Sequence, residues 1–255
     1  MSAAEGALEH LVASPCSAPK WTLDEVMAAH AELGFRKYEA FTGWVASALD
    51  VSGDPGGYVE TARRYGMRYT SFHLPAVDGE DFDASLARAV EAARFARAVG
   101  AGIVLYKAKT RADYVRAAAA MLDACESLGL TAVIQNHKGS ALSDVDDVRE
   151  VLAGAGDERL KVLLEVGHFH QAGVTWDRAC AHLRGRVALV HVKDIAAGEP
   201  VGFGAGEIDF AALTATLAAD GYDGDYVVEL EGACWEDPKR YLREAVELLA
   251  PMIER

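Results

Sequence analysis

Short runs of Val, Ile and Leu alternate with Ala-rich segments of helical period from one end of the chain to the other. The runs predict strands at residues 8–14, 35–41, 67–74, 102–107, 130–136, 160–166, 186–192 and 225–231. Apolar runs this short, without strict alternation, suit parallel strands buried on both faces. The helices between them open and close on local signals. Thr22-x-x-Glu25 is a capping box, and Asp54-Pro55 is an N-cap followed by proline at the first helical position. Helices over 83–99 and 113–128 are closed by Gly100 and Gly129, and others are expected from Ser143, Asp177, Asp209 and about Asp237.

Strands separated by helices make βαβ units, and eight of them at even spacing point to a closed barrel rather than an open doubly wound sheet. The chain has 255 residues, and a TIM barrel needs about 250. The expected fold is therefore α/β, a single (β/α)₈ TIM barrel with eight parallel strands, occupying residues 1–255 as one domain. No Pro/Gly/Ser-rich linker divides it.

Composition narrows the function classes. The formal net charge is −14 with no basic run, which argues against a nucleic-acid partner because phosphates demand Lys and Arg. No stretch approaches the roughly 20 apolar residues of a membrane span, and the start lacks the basic region of a signal peptide, so the chain is expected to be cytoplasmic. Cys16, Cys125, Cys180 and Cys234 are scattered without a Cys-x-x-Cys pair, giving neither a zinc-site spacing nor a disulfide framework.

Chemistry in such a barrel belongs at the C-terminal ends of the strands, and the ionisable residues gather there. Glu39 ends the second run, His73 the third and Lys107 the fourth. Gln135 and His137 end the fifth, Glu165 and His168 the sixth, His191, Lys193 and Asp194 the seventh, and Glu229 and Glu231 the eighth. A carboxylate inside an apolar strand, as in Val-Leu-Leu-Glu165-Val or Val-Val-Glu229-Leu, is costly unless paired or bound to a cation. Two carboxylates, an imidazole and a carboxamide offer donors to one divalent ion, with Mn²⁺, Mg²⁺, Co²⁺ and Zn²⁺ all suitable. His10, His30 and His182 read as structural. Gly202-x-Gly204-x-Gly206 does not open a helix directly after a strand, so it reads as a flexible loop over the barrel mouth rather than a dinucleotide fingerprint.

In this order the motifs resemble the sugar phosphate isomerase/epimerase group of the xylose-isomerase-like TIM-barrel superfamily. They are Ser71-Phe72-His73-Leu74-Pro75, Ile134-Gln135-Asn136-His137, Leu164-Glu165-Val166-Gly167-His168, His191-Val192-Lys193-Asp194, the Gly-rich stretch 202–209, and Gly221-Tyr222-Asp223-Gly224 leading to Val228-Glu229. The resemblance covers nearly the whole barrel. It implies metal ligands at Gln135, Glu165, His191 and Glu229, a substrate-binding histidine at His168, and Lys193 beside the ligand histidine. Glu229, His168 and Lys193 are then the expected catalytic residues, with His73, Lys107, His137 and Glu39 as expected substrate contacts. Two departures stand out. Glu165 replaces the family's usual Asp, and Gln135 its usual Glu. A carboxamide can ligate through oxygen but cannot accept a proton at neutral pH, so of the family's pair of glutamate bases only Glu229 remains.

The implied function is a metal-dependent isomerase, epimerase or lyase acting on a sugar or keto-sugar through an enolate-type intermediate, with Glu229 as base. The competing reading is a non-catalytic or partner-dependent sugar-binding barrel with a weakened metal site. An apurinic endonuclease of the same superfamily would need a richer histidine set, and position 107 is Lys while the 202–209 loop has no histidine. Barrels of this kind often associate, so a homo-oligomer is among the expectations.

Overall fold

The computed structural model describes residues 8–231 and 235–253. Cys234 and residues 232–233 lie outside the described residues, as do both termini. The barrel strands are β1 (Leu11–Ala13), β2 (Lys37–Ala40), β3 (Arg68–His73), β4 (Ile103–Leu105), β5 (Thr131–Gln135), β6 (Lys161–Glu165), β7 (Val187–Val192) and β10 (Tyr226–Val228). Every neighbouring pair is parallel, and β1 closes the ring by pairing with both β2 and β10. The single TIM barrel expected from the sequence is the fold observed.

The helices are α1 (Leu23–Glu32), α2 (Pro55–Arg64), α3 (Phe82–Val99), α4 (Arg111–Ser127), α5 (Val145–Ala155), α6 (Val166–Gln171), α7 (Trp176–Leu183), α8 (Phe210–Ala219) and α9 (Pro238–Ile253). The Thr22/Glu25 capping box forms in both directions, and Asp54 accepts from the amides of Gly56 and Gly57 ahead of α2. Such caps satisfy amide groups that have no partner inside the helix. The large hydrophobic cluster lies between the strands and the helical ring, with Phe35, Tyr38, Phe72, Ile134 and Leu164 among its members.

Two elements depart from the sequence pattern. The short helix α6 follows β6 without a loop, because Glu165 turns its own carboxylate back onto the Gly167 amide at 3.0 Å and caps the turn. After β7 the chain forms an antiparallel hairpin of β8 (Asp194–Ala196) and β9 (Glu199–Val201) instead of passing straight into the glycine loop. The strands themselves are shorter than their apolar runs, since flanking residues leave the ladder where the chain bends at the rims. At the floor of the barrel Lys37 and Asp225 pair at 2.5 Å. Among the described residues no helix is long and apolar enough to cross a membrane.

Candidate metal centre

The barrel interior holds an apolar layer of Val12, Leu105, Val133, Leu163, Leu189 and Val227. Side chains alternate faces along a strand, so the residue two positions further on in each case rises into the mouth above that layer. Those residues are Ser14, Lys107, Gln135, Glu165, His191 and Glu229. Glu39 on β2 and Ser71 and His73 on β3 join the ring, beside a bulge that shifts the register between Tyr38 and Glu39. The fold thus brings these sequence-expected residues to one end of the barrel.

Glu165, His191 and Glu229 converge. Each offers a donor atom lying within 4.8 Å of the others' donors, and all three residues are buried. His191 Nδ1 stands 3.3 Å from Glu165 Oε2 and 3.3 Å from Glu229 Oε1. Glu165 Oε1 is occupied by the Gly167 amide, which leaves Oε2 pointing at the trio. Glu165 Oε2, His191 Nδ1 and Glu229 Oε2 have no hydrogen-bond partner among the described residues. Buried ionic oxygens short of hydrogen bonds are costly; the Lys193 ammonium offsets part of that charge, and a divalent cation would suit the same atoms. The donor set, two carboxylates and an imidazole, fits such an ion. Gln135 is half-buried at the end of β5, where its backbone pairs with Leu163 of β6. Alternation with Val133 puts it on the same ring.

Lys193 continues the inward face of β7 two residues beyond His191 and is 1% exposed. Its ammonium lies 2.5 Å from Glu231, 2.9 Å from Glu229 Oε2 and 3.4 Å from Glu165 Oε2. The contact with Glu229 is short but lies off the hydrogen-bonding direction, so that oxygen stays unpartnered. The stem of Lys193 runs across Gly167, where a Cβ would sit only 2.1 Å from its Cγ. Glycine at 167 is what lets the lysine thread inward.

The charges set the protonation states. Burial disfavours the ionised form of Glu229, but Lys193 and His191 outweigh it and hold the carboxyl well below the usual range. Burial pulls Lys193 down, yet Glu165, Glu229 and Glu231 overcome it and keep the ammonium well above its ordinary value. The His191 imidazole is pushed above its ordinary value in the same way, by Glu39 and Glu229 against burial. Glu231 is brought down to about 2, since hydrogen bonding to His168 and the charge of Lys193 exceed its burial.

A second cluster lies on the outer side of Lys193. The rings of His137 and His168 are 3.8 Å apart, and His168 Nε2 is 3.3 Å from Lys193 Nζ and 3.2 Å from Glu231. The opposite ring nitrogen of His168 meets Gln171 Oε1 at 3.1 Å. Since that amide oxygen only accepts, Nδ1 carries a hydrogen and donates to it. Burial and the neighbouring His168 lower the pKa of His137. On the far side Glu39, fully buried, contacts His73 at 2.9 Å, Ser71 at 2.7 Å and His191 at 3.1 Å, and Lys107 reaches His73 at 2.8 Å.

Residues 27–252 match the family model described as a xylose isomerase-like TIM barrel. The chain belongs to that family. No curated protein matches it. Among solved structures this family member is similar to the D-allulose 3-epimerase from Methylomonas sp., with a TM-score of 0.79 at 16% identity over 95% of this chain and 97% of the other. It is also similar to the IolI protein with a bound zinc atom (TM-score 0.80, 13% identity, 96% and 98% coverage). A third likeness is the 3-keto-D-glucoside 4-epimerase from E. coli in its apo form (0.77, 14%, 95% and 99%). At these identities the likeness establishes the fold.

Two residues named in the sequence motifs without a role of their own, Asn136 and Asp194, brace the site. Asn136 clamps β6, donating to the Glu165 carbonyl at 2.9 Å and accepting from the Glu165 amide at 3.0 Å. The signal was an amide side chain buried beside an apolar strand. Asp194 pins the glycine loop, with Oδ2 accepting from the Gly204 and Gly206 amides at 2.9 Å each. A Cβ at 206 would lie 1.9 Å from the other carboxylate oxygen, so that glycine serves a close approach. The loop expected to be flexible is tied to the end of β7.

Proposed function

We propose that this protein is a divalent-metal-dependent isomerase or epimerase, or a lyase, acting on a sugar or keto-sugar through an enolate-type intermediate. The observation that carries the reading is the convergence of three buried atoms without hydrogen-bond partners, Glu165 Oε2, His191 Nδ1 and Glu229 Oε2, beside the Lys193 ammonium. Solved structures with this fold include sugar 3- and 4-epimerases and a zinc-bound relative, which supports it. Glu165, His191 and Glu229 would hold the ion, with Gln135 as a neutral fourth donor; when bound, the ion polarises a hydroxy-carbonyl substrate.

The chain's own groups supply the rest. Lys193 and His191 hold Glu229 ionised, and it would be the carboxylate that accepts the proton of a C–H bond next to a carbonyl. Lys193, held as an ammonium, cannot be that base; it steadies negative charge developing on a substrate oxygen and can donate a proton to it. His168 and His137 line the outer side of the same lysine and would bind hydroxyls. Because Gln135 cannot take a proton, the chemistry is one-base: aldose–ketose isomerisation, β-elimination, or an epimerisation in which a group other than residue 135 returns the proton. Gln135 also favours a second reading, a sugar-binding barrel without turnover.

The test is solvent deuterium wash-in. Protein loaded with Mn²⁺, Co²⁺ or Zn²⁺ is incubated in D₂O with a panel of ketopentoses, ketohexoses and 3-keto-glucosides. Deuterium should enter at the carbon beside the carbonyl of the true substrate, and Glu229→Gln should slow entry by about 10²–10⁴-fold. Exchange at the wild-type rate in Glu229→Gln sinks the base assignment. Binding without exchange across the panel favours the sugar-binding reading.

A further inference from the structure

We infer that Lys107, His73 and Glu39 form a positioning relay that fixes the tautomer of His191 and so aims its Nδ1 lone pair at the metal. The inference rests on the reading of Glu165, His191 and Glu229 as metal ligands. It follows link by link from donor and acceptor capacity.

The relay starts at Lys107, whose ammonium can only donate. Its Nζ lies 2.8 Å from His73 Nδ1, so that nitrogen accepts and the ring hydrogen sits on Nε2. His73 Nε2–H then donates to Glu39 Oε1 at 2.9 Å. The other oxygen of Glu39 accepts from Ser71 Oγ at 2.7 Å and faces His191 Nε2 at 3.1 Å. An ionised carboxylate cannot donate, so Nε2 of His191 must carry a hydrogen. That leaves Nδ1 as the nitrogen turned toward the ligand carboxylates, 3.3 Å from both Glu165 Oε2 and Glu229 Oε1.

Packing holds the relay rigid. Glu39 is 0% exposed, and Phe41 stacks on the His73 ring at 3.8 Å between centroids. With both oxygens of Glu39 engaged and no solvent access, a sugar hydroxyl has no route to it. Glu39 and His73 are thereby assigned as positioning residues, where the sequence had suggested substrate contacts. Lys107 joins them through the hydrogen bond that orients His73. Carboxylates behind a ligand histidine fix its tautomer and raise its basicity, and their loss lowers metal affinity by about 10–100-fold.

The test uses the full chain labelled with ¹⁵N-histidine and loaded with Zn²⁺. Two-bond ¹H–¹⁵N correlation spectra should show His191 protonated on Nε2 with Nδ1 on the metal. In competition with a chromophoric chelator, Glu39→Gln should bind Zn²⁺ about 10–100-fold more weakly, and Lys107→Met should shift affinity the same way by less. His191 protonated on Nδ1, or a folded Glu39→Gln with wild-type affinity, overturns the relay. If Glu39→Gln does not fold, the wild-type spectrum and the partly exposed Lys107→Met decide. A wild-type chain that takes up no Zn²⁺ overturns the metal reading and the relay together, whereas tight binding with the wrong tautomer overturns the relay alone.

Discussion

Lys193→Met keeps most of the side-chain stem and deletes the ammonium. That ammonium is buried, 2.9 Å from Glu229 and 3.4 Å from Glu165, with Glu231 at 2.5 Å. Removing one partner of a buried ion pair costs about 3–5 kcal/mol, because the remaining charge is stranded. Glu231 has 29% side-chain exposure and can rehydrate, so the cost falls on Glu165 and Glu229. At roughly 2–4 °C per kcal/mol for a chain of this size, the metal-free variant should melt roughly 6–20 °C below wild type. A divalent ion on the same two carboxylates supplies the missing charge and, at a hundredfold excess over its Kd, contributes about 2.7 kcal/mol. Differential scanning calorimetry in EDTA and then in Zn²⁺ reads both effects. The variant should lose stability in EDTA and regain more from Zn²⁺ than wild type does. An unchanged melting temperature in EDTA would show that Lys193 does not neutralise this pair.

Other consequences are equally direct. Gln135→Glu adds an anionic donor to the ring, and since ligand charge tunes divalent affinity it should tighten Zn²⁺ or Mn²⁺ by roughly tenfold or more in chelator competition. No gain would place Gln135 off the coordination ring. His30 lies buried in α1, where burial lowers its pKa to about 4 although the Val26 carbonyl at 2.8 Å accepts from Nδ1. Its folded pKa is below the unfolded one, so the unfolded chain takes up the proton first. The contribution is complete above the ordinary histidine value and is lost as pH falls from about 6.5 toward about 4, by roughly 3 kcal/mol in all. Denaturant melts of His30→Leu should show a flatter fall in stability across that window; a slope equal to wild type would contradict the assignment.

The eight strands and most helices were legible because their signals are local: apolar runs, caps and terminal glycines. The mouth residues were legible too, because a charged residue ending an apolar strand has few places to go. Connections across the barrel were not. The pairs Glu39–His191, Lys193–Glu231 and His73–Lys107 join strand ends 152, 38 and 34 residues apart, and only closure of the ring brings them together. Helix α6 escaped notice because its cap is Glu165, a residue read for its charge and not for its reach back to Gly167. The hairpin β8–β9 was hidden by the glycines that follow it, whose amides turn out to be held by Asp194.

The central claim is that Glu165, His191 and Glu229 hold one divalent ion. The most direct measurement is an anomalous difference map from crystals grown with Zn²⁺. One strong peak should lie about 2.0–2.2 Å from a carboxylate oxygen of Glu165, from Nδ1 of His191 and from a carboxylate oxygen of Glu229. No peak there at saturating Zn²⁺, or a peak held by His137, His168 and Glu231 instead, would contradict the account.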